Sequence, residues 1–303
     1  MSVLTGMITA MDDVIIGSEA LTAGVLTRGQ LRWNYRPIFW DVYLSKTTRP
    51  SLAVRTVGAW LWSGRRAVIT GRAAAALHGA QWVDEYAPIE LLWQNNHYPP
   101  GTIVRDERFH ADEVTAVNGL QVATPVRAAF DLARHLPRTM AVAQLDALAR
   151  ATGITDAKVL LLIDRNPGAR GNKYARTAID LMDAGAESPK ESWLRLLLID
   201  AGFPRPTTQI RVTDGAITAF VDMGWEDLKI GVEYDGDHHR TSRRQFTKDL
   251  TRAEMLEREG WIIVRVVAEN QDAEILIRVH RAFARRGYSP AWSPNRRQGR
   301  NSA

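Results

Sequence analysis

Residues 219–239 read Ala219-Phe-Val-Asp222-Met-Gly-Trp-Glu-Asp-Leu-Lys-Ile-Gly-Val-Glu233-Tyr-Asp235-Gly-Asp-His238-His239, two runs of strand character joined by a short polar link. Asp222 stands at the end of the first run. Glu233 and Asp235 end the second, where alternation along a strand predicts that their side chains share one face. The link Gly224 to Asp227 is short enough to set the strands side by side, so all three carboxylates are expected to converge. Crowded carboxylates resist ionising together and are usually compensated by a proton, a cationic side chain or a metal ion. Hard oxygen ligands with room for water suit Mg2+ (or Mn2+), the usual partner of phosphate chemistry.

Upstream, Ser188-Pro-Lys-Glu191 starts a helix: serine cap, proline at the first position, glutamate three residues after the cap. That helix runs through Trp193, Leu194, Leu197 and Leu198 to Gly202, and a strand Thr207 to Val212 with an Asp214-Gly215 turn leads into the opening stretch. Downstream, Arg243 to Glu259 is an amphipathic helix stopped by Gly260, followed by a strand from Trp261 to Val267 and a helix from Asp272 to Arg286. The expected order is helix, three strands, helix, strand, helix. Asp249 and Arg252 are spaced to share one helix face, with Lys248 beside them. Arg265 interrupts an apolar strand and requires a partner, in the carboxylate cluster or on a substrate phosphate. After Ile277 the chain is arginine-rich without acids, a pattern that tracks a phosphate backbone, and beyond Ser289 a disordered basic tail is expected.

The amino-terminal half gives a short helical segment from Ser18, a turn at Ala23-Gly24, and a helix that Thr27 caps, carrying Arg28, Gln30, Arg32, Trp33 and Arg36. A single β-rich run, Ile38 to Leu44, follows. Helix, turn, basic helix and strand is the order of a small winged helix-turn-helix, whose second helix enters a major groove; the alternative is a solvated basic helix packed on the domain. Helices are expected over 51–63 and 71–79, the second closed by His78-Gly79, with His78 as a packed or capping residue. Strands are expected over 88–93, 101–108 and 120–123. Three helices then run from Thr124-Pro125 to Asp164, with Leu145, Leu148, Leu160 and Leu161 as core and Asp131 and Asp146 on the surface, solvated or ion-paired. A boundary between domains is expected near Asp183 to Glu187.

With 303 residues the chain is long enough for two domains, and a net charge of +5 with a pI of about 9.6 favours an anionic partner. The absence of cysteine excludes disulfides, thiolate catalysis and zinc–thiolate sites. No apolar stretch reaches transmembrane length, so a soluble cytoplasmic protein without a membrane partner is the expectation.

The carboxyl-terminal segment resembles the restriction-endonuclease-like PD-(D/E)xK fold, and within it the bacterial domain related to the very-short-patch (Vsr) mismatch repair endonucleases. The resemblance rests on Ser188-Pro-Lys-Glu191, Val221-Asp222, Val232-Glu-Tyr-Asp-Gly-Asp-His-His239, Asp249-Leu-Thr-Arg252 and Gly260-Trp-Ile-Ile-Val-Arg265. It implies a Mg2+-assisted endodeoxyribonuclease in which Asp222 and Glu233 bind the metal and Glu191 completes or orients its shell. Asp235 stands where the fold's lysine is expected, which moves the general acid or base to His238 or His239, with Lys248 as a further candidate. Asp249, Arg252 and Arg265 are then supporting residues.

Leu26-Thr-Arg-Gly-Gln-Leu-Arg32, Asp41-Val-Tyr43 and the alanine-rich segment 71–79 are similar to the winged-helix antitoxin region of AbiEi-type abortive-infection systems, with Asp41 in place of the usual glycine. That similarity implies DNA binding through Arg28, Gln30, Arg32 and Arg36, with a toxin as partner. The expected architecture is α/β (α+β) and two-domain: a mostly helical winged-helix, antitoxin-like region over 1–183, a nuclease-like αβββαβ domain over 184–289, and a basic tail over 290–303. Two functions compete: a metal-dependent endonuclease of DNA repair or phage defence, and a non-catalytic DNA-binding regulator or antitoxin on a degenerate nuclease fold. Asp235 in the lysine position speaks for the second.

Overall fold

A computed structural model describes residues 13–95, 98–236 and 243–288, a mixed α/β protein in which eleven helices and three sheets are described. It divides into two compact units, Met1–Ala184 and Gly185–Ala303. His238, His239 and the basic tail expected beyond Ser289 lie outside the described residues.

The first unit opens with β1 (Val14–Ile16), α1 (Gly17–Thr22), α2 (Arg28–Asn34), β2 (Tyr35–Phe39), β3 (Val42–Ser45) and α3 (Leu52–Trp62). The strands form an antiparallel sheet in the order β1-β3-β2. Val14, Val42 and Leu44 are buried, and α3 packs on all three strands through its own apolar side chains, Val54 and Val57 among them. The run Ile38 to Leu44 is therefore two strands rather than the one expected, folded back at Trp40-Asp41. Asp41 takes the left-handed conformation (φ 57°), where a short polar side chain is better tolerated than a branched one. Its carboxylate then accepts from Ser18 N at 3.0 Å and Ser18 Oγ at 2.5 Å, fastening the hairpin to the start of α1.

The same unit continues through β4 (Val68–Thr70), α4 (Gly71–Leu77), β5 (Ile89–Leu92), β6 (Thr102–Arg105), β7 (Val114–Val117) and β8 (Leu120–Ala123) into α5 (Pro125–His135), α6 (Arg138–Thr152), α7 (Asp156–Arg165) and α8 (Asn172–Asp180). Its second sheet runs β6-β5-β4-β8-β7, mixed parallel and antiparallel. Helices hold most of the regular structure of this half, and the structure adds strands the sequence did not reveal: β1, β4 and β7 have three or four residues, too short to show alternation. Helix α5 packs against α4, α6, α7 and α8. Leu145 and Leu148 are core as expected, but Leu161 is 66% exposed. In α7 the inward stripe is Val159, Leu162 and Ile163, a phase that turns Leu161 outward.

The second unit consists of α9 (Pro189–Asp200), β9 (Thr207–Thr213), β10 (Thr218–Trp225), β11 (Ile230–Tyr234), α10 (Arg243–Arg258), β12 (Ile262–Val266) and α11 (Asp272–Arg285). The sheet runs β12-β11-β10-β9, antiparallel except for the parallel pair β11/β12 that α10 connects. One face packs on α9 and α11 around Leu198, Met223, Val232, Val266 and Phe283. The other packs on α10 around Ile210, Val221, Met255 and Trp261.

Candidate functional site

The carboxylates of the second unit gather at a break in the ladder of β10. Register with β9 is continuous on either side, but no rung joins Gln209 to Asp222, and Gln209 has φ 51°. Across this break the strand changes face: Ala219 and Val221 join the α10 cluster, whereas Met223 and Trp225 join the α9/α11 cluster. Such local twist re-aims a side chain and is enriched beside functional sites. On the other edge β10 pairs with β11 only from Met223/Val232 to Trp225/Ile230. That contact is close because Gly224 faces Gly231; a Cβ on Gly224 would lie 2.2 Å from the Ile230 carbonyl oxygen. Beyond it the strands part, and two side chains fill the gap. Asp222 Oδ2 accepts from Tyr234 N at 2.8 Å, and Arg252 of α10 donates to the Phe220 carbonyl at 2.6 Å.

Arg252 also binds Glu233 through both carboxylate oxygens, at 2.5 and 3.2 Å. Arg265, directly opposite Glu233 in the β11/β12 register, brings Nε to 3.9 Å from the same carboxylate, which identifies the partner its place in an apolar strand demands. Burial works against the Arg252 charge, and the Glu233 hydrogen bonds, with Asp222 and Asp249 nearby, outweigh it and hold the guanidinium above its ordinary range. Asp222 is in the opposite position. Burial raises it, the Tyr234 N–H offsets part of that, Glu191 and Glu233 add repulsion, and its pKa is pushed up to about 7.

Glu191 is buried and serves its own helix. Its two oxygens accept from Ser188 Oγ at 2.9 Å and Glu187 N at 2.8 Å, while Ser188 Oγ accepts from Glu191 N at 3.2 Å, a reciprocal cap. Asp235 lies past the end of β11, its N–H bound to the Val266 carbonyl, so the strand alternation expected to pair it with Glu233 stops at Tyr234. Lys248 is exposed on α10, and Asp249 is half-buried one turn before Arg252. As placed, both Glu233 oxygens bind Arg252, both Glu191 oxygens serve the helix cap, and Asp222 Oδ2 accepts from a backbone N–H. A divalent ion at Asp222 and Glu233 would have to displace the guanidinium.

In the first unit, α2 buries only Leu31 and exposes Arg28, Arg32, Trp33 and Asn34. Thr27 Oγ1 accepts from Gln30 N at 3.2 Å and Gln30 Oε1 from Thr27 N at 2.8 Å, so the Gln30 side chain is part of a capping box rather than a free reader. Lys46 Nζ closes the other end on the Arg32 and Trp33 carbonyls, at 3.0 and 2.8 Å. Arg36 donates to the Thr48 carbonyl at 2.6 Å and braces the hairpin. The exposed surface is thus Arg28, Arg32 and Trp33 on the helix, and Trp40, 84% exposed at the hairpin turn.

A buried network in the same unit escaped the sequence reading. Asp131, expected on the surface, is fully buried: it accepts from Arg127 Nε at 3.0 Å, Arg134 Nη2 at 2.9 Å and Thr70 Oγ1 at 2.6 Å. Arg127 continues to Glu113 at 2.6 Å, and Arg134 to Glu107, which also faces His135 at 3.0 Å. Burial opposes ionisation of Glu107, yet His135 and Arg134 bring its pKa down to about 2. The spacing Arg127, Asp131, Arg134 on one helix was the available signal. Asp146 is likewise buried and accepts from Asp183 N at 2.7 Å. His78 caps α4 and its Nε2 meets the Ala123 carbonyl at 2.7 Å, the packed role expected of it. Among the described residues, Glu107, Asp131 and His135 have metal-ligand atoms within 4.8 Å of one another, but both carboxylates are already neutralised by guanidiniums.

No solved structure matches this chain. Two relatives, both described as uncharacterized proteins of Mycobacterium tuberculosis (strains CDC 1551 / Oshkosh and ATCC 25618 / H37Rv), are each 28% identical over 234 residues, covering 77% of this chain and 85% of theirs. No helix among the described residues is long and apolar enough to cross a membrane. A family model for the AbiEi antitoxin C-terminal domain matches residues 66–183, so the part of the chain that carries the five-stranded sheet and the α5 network is similar to that antitoxin domain.

Proposed function

We propose that this chain is a DNA-binding regulator of the antitoxin class, which grips duplex DNA through α2 and the β2–β3 hairpin and meets a toxin partner through its antitoxin-like domain. The observation that carries the reading is α2 itself. A helix with one buried side chain, capped at both ends and presenting Arg28, Arg32 and Trp33, with an exposed Trp40 at the hairpin turn that follows, is held out from the unit rather than packed into it. Helix, turn, basic helix and hairpin is the order in which winged helices place a helix in the major groove. The similarity of residues 66–183 to the AbiEi antitoxin C-terminal domain supplies the class and the implied toxin. Fluorescence anisotropy with duplex DNA from upstream of the gene tests it. Each phosphate that is no longer neutralised lowers the slope of log affinity against log salt by about 0.9, so Arg28→Ala/Arg32→Ala together should flatten it by about 2. Binding that is unchanged in this variant overturns the proposal.

A second reading is favoured by one observation, the half-buried Asp222 beside Glu191 and Glu233 at a break in the sheet. In this reading the second unit is a PD-(D/E)xK-type, Vsr-like endonuclease, and Asp222 and Glu233 take up Mg2+ or Mn2+, which would polarise a phosphoryl oxygen. Arg252 must then leave Glu233, and His238 or His239 acts in place of the lysine that Asp235 replaces. Cleavage of single-stranded, duplex or mismatched DNA with either metal, abolished in Asp222→Ala and Glu233→Ala, would establish it. Its absence leaves the second unit a scaffold.

A further inference from the structure

Two cavities in the first unit, of about 430 and 760 Å3, share Glu107, Arg108 and Asn166 in their walls and so form one continuous depression. Together they exceed what a single phosphate needs and suit a small organic ligand. The smaller is lined by four arginines, Arg108, Arg127, Arg134 and Arg170, against one acid, Glu107. Arg127 and Arg134 form its buried floor over Phe130, with Arg134 at 4.2 Å from the ring centroid, and they pair with Glu113 and Asp131 behind the floor and with Glu107 in the wall. Those three carboxylates outnumber the two guanidiniums by one, so Arg108 and Arg170, both exposed and neither in a described ion pair, bring the cluster to a net charge of about +1. Among the described residues, Arg134 Nε is buried without a hydrogen-bond partner. The larger cavity is different in kind: Trp93 and Phe109 line it, with the Arg66 guanidinium 5.4 Å above Trp93 and Asp106 exposed at the mouth.

We infer that this depression is a nucleotide-binding site: phosphates in the arginine-lined part, a base against Phe109 and Trp93 in the adjoining part, and Asp106 placed to accept from ribose hydroxyls. Guanidiniums in pairs match phosphate oxygens, and aromatic faces take a base without reading its identity. A bare metal ion is the wrong ligand here, because Glu107, the carboxylate in the walls of both cavities, already holds Arg134 and His135, which leaves Asp106 as a single exposed carboxylate. The site is independent of the α2 surface proposed for DNA.

The test is isothermal titration calorimetry of the full-length protein with ATP, GTP, AMP, inorganic phosphate and a short single-stranded oligonucleotide. At least one mononucleotide should bind with Kd below about 1 mM, and more tightly than inorganic phosphate. Arg108→Glu/Arg170→Glu should weaken it by about tenfold or more, with thermal stability kept because both side chains are exposed. Phe109→Ala should weaken the nucleotide but not phosphate. The inference is overturned if no mononucleotide binds, if the double variant binds as well as the parent, or if phosphate binds as tightly as nucleotides. Binding of the oligonucleotide alone also overturns it, since that would make the depression part of a nucleic-acid surface.

Discussion

Replacing Asp222 with asparagine should stabilise the second unit, and only at the pH where the aspartate would be charged. With its pKa at about 7 in the folded chain and an ordinary value of 3.8, the carboxyl is neutral in both states below about pH 4 and costs the fold nothing there. As pH rises the unfolded chain ionises freely, whereas the folded one must either keep the proton or bury a charge beside Glu191 and Glu233. The stability present at low pH therefore declines between about pH 4 and 7. A gap of about 3 pH units corresponds to ~4 kcal/mol at most. Asparagine keeps the acceptor for Tyr234 N and removes the charge, but it also gives up the attraction of Arg252, so a gain of about 2 kcal/mol at pH 8 is expected. For a unit of this size that is a rise on the order of 5–10 °C in the melting midpoint. Denaturant and thermal melts of parent and Asp222→Asn at pH 4, 6 and 8 measure it, and the difference should shrink toward zero at pH 4. A gain that is the same at all three pH values, or no gain at pH 8, would refute the account of Asp222 as a charge held against its environment.

Three other substitutions probe the framework around the two candidate surfaces. Asp131→Ala removes the carboxylate between Arg127 and Arg134 and leaves two buried guanidiniums short of a partner, so the first unit should be destabilised by about 3–5 kcal/mol, measured by urea unfolding. Gly224→Ala drives a Cβ into the Ile230 carbonyl at the Gly224/Gly231 crossing and should abolish the cooperative melt of the second unit or lower its midpoint by more than 10 °C, on the order of 3 kcal/mol. Thr27→Ala opens the capping box of α2 and should cost about 1 kcal/mol of local stability, visible as faster amide exchange over residues 28–34, with weaker DNA binding but an unchanged salt slope.

Much of the second unit was legible because its signals are local. The serine cap with proline and Glu191, the Asp214-Gly215 turn, and the Gly260 stop each fix an element end from a few adjacent residues, and the element order followed. What the sequence concealed was non-local. Alternation set Asp222, Glu233 and Asp235 on converging strands, but it could not show that β10 changes face at Asp222, opposite Gln209, or that β11 ends before Asp235. The first unit was harder for the same reason: β1, β4 and β7 acquire their strand character from pairing alone. Asp131 looked like a surface acid because an aspartate on an amphipathic helix usually is one, and its guanidinium partners are recognisable only once α5 is known to lie at the centre of four other helices.

The two readings of the second unit meet at Arg252. Its guanidinium stands between Glu233 and the Phe220 carbonyl, so it both neutralises the carboxylate and closes the gap where β10 and β11 part. Arg252→Met removes the charge and keeps most of the stem. Breaking a buried pair costs about 3–5 kcal/mol, and the 30% exposure of the Arg252 side chain brings the expected cost down to about 2. Such a cost alone is what a structural ion pair predicts. If Glu233 and Asp222 are metal ligands, however, the same substitution takes away the cation that competes with the metal. Millimolar Mg2+ should then restore part of the stability at pH 8, by an amount that grows with its concentration, and it should do so far less when Asp222 is also asparagine. A melt of Arg252→Met that ignores Mg2+ and Mn2+ at every pH would leave the arginine as the cation for which this cluster is built, and the regulator reading would need no metal to explain why three acids converge there.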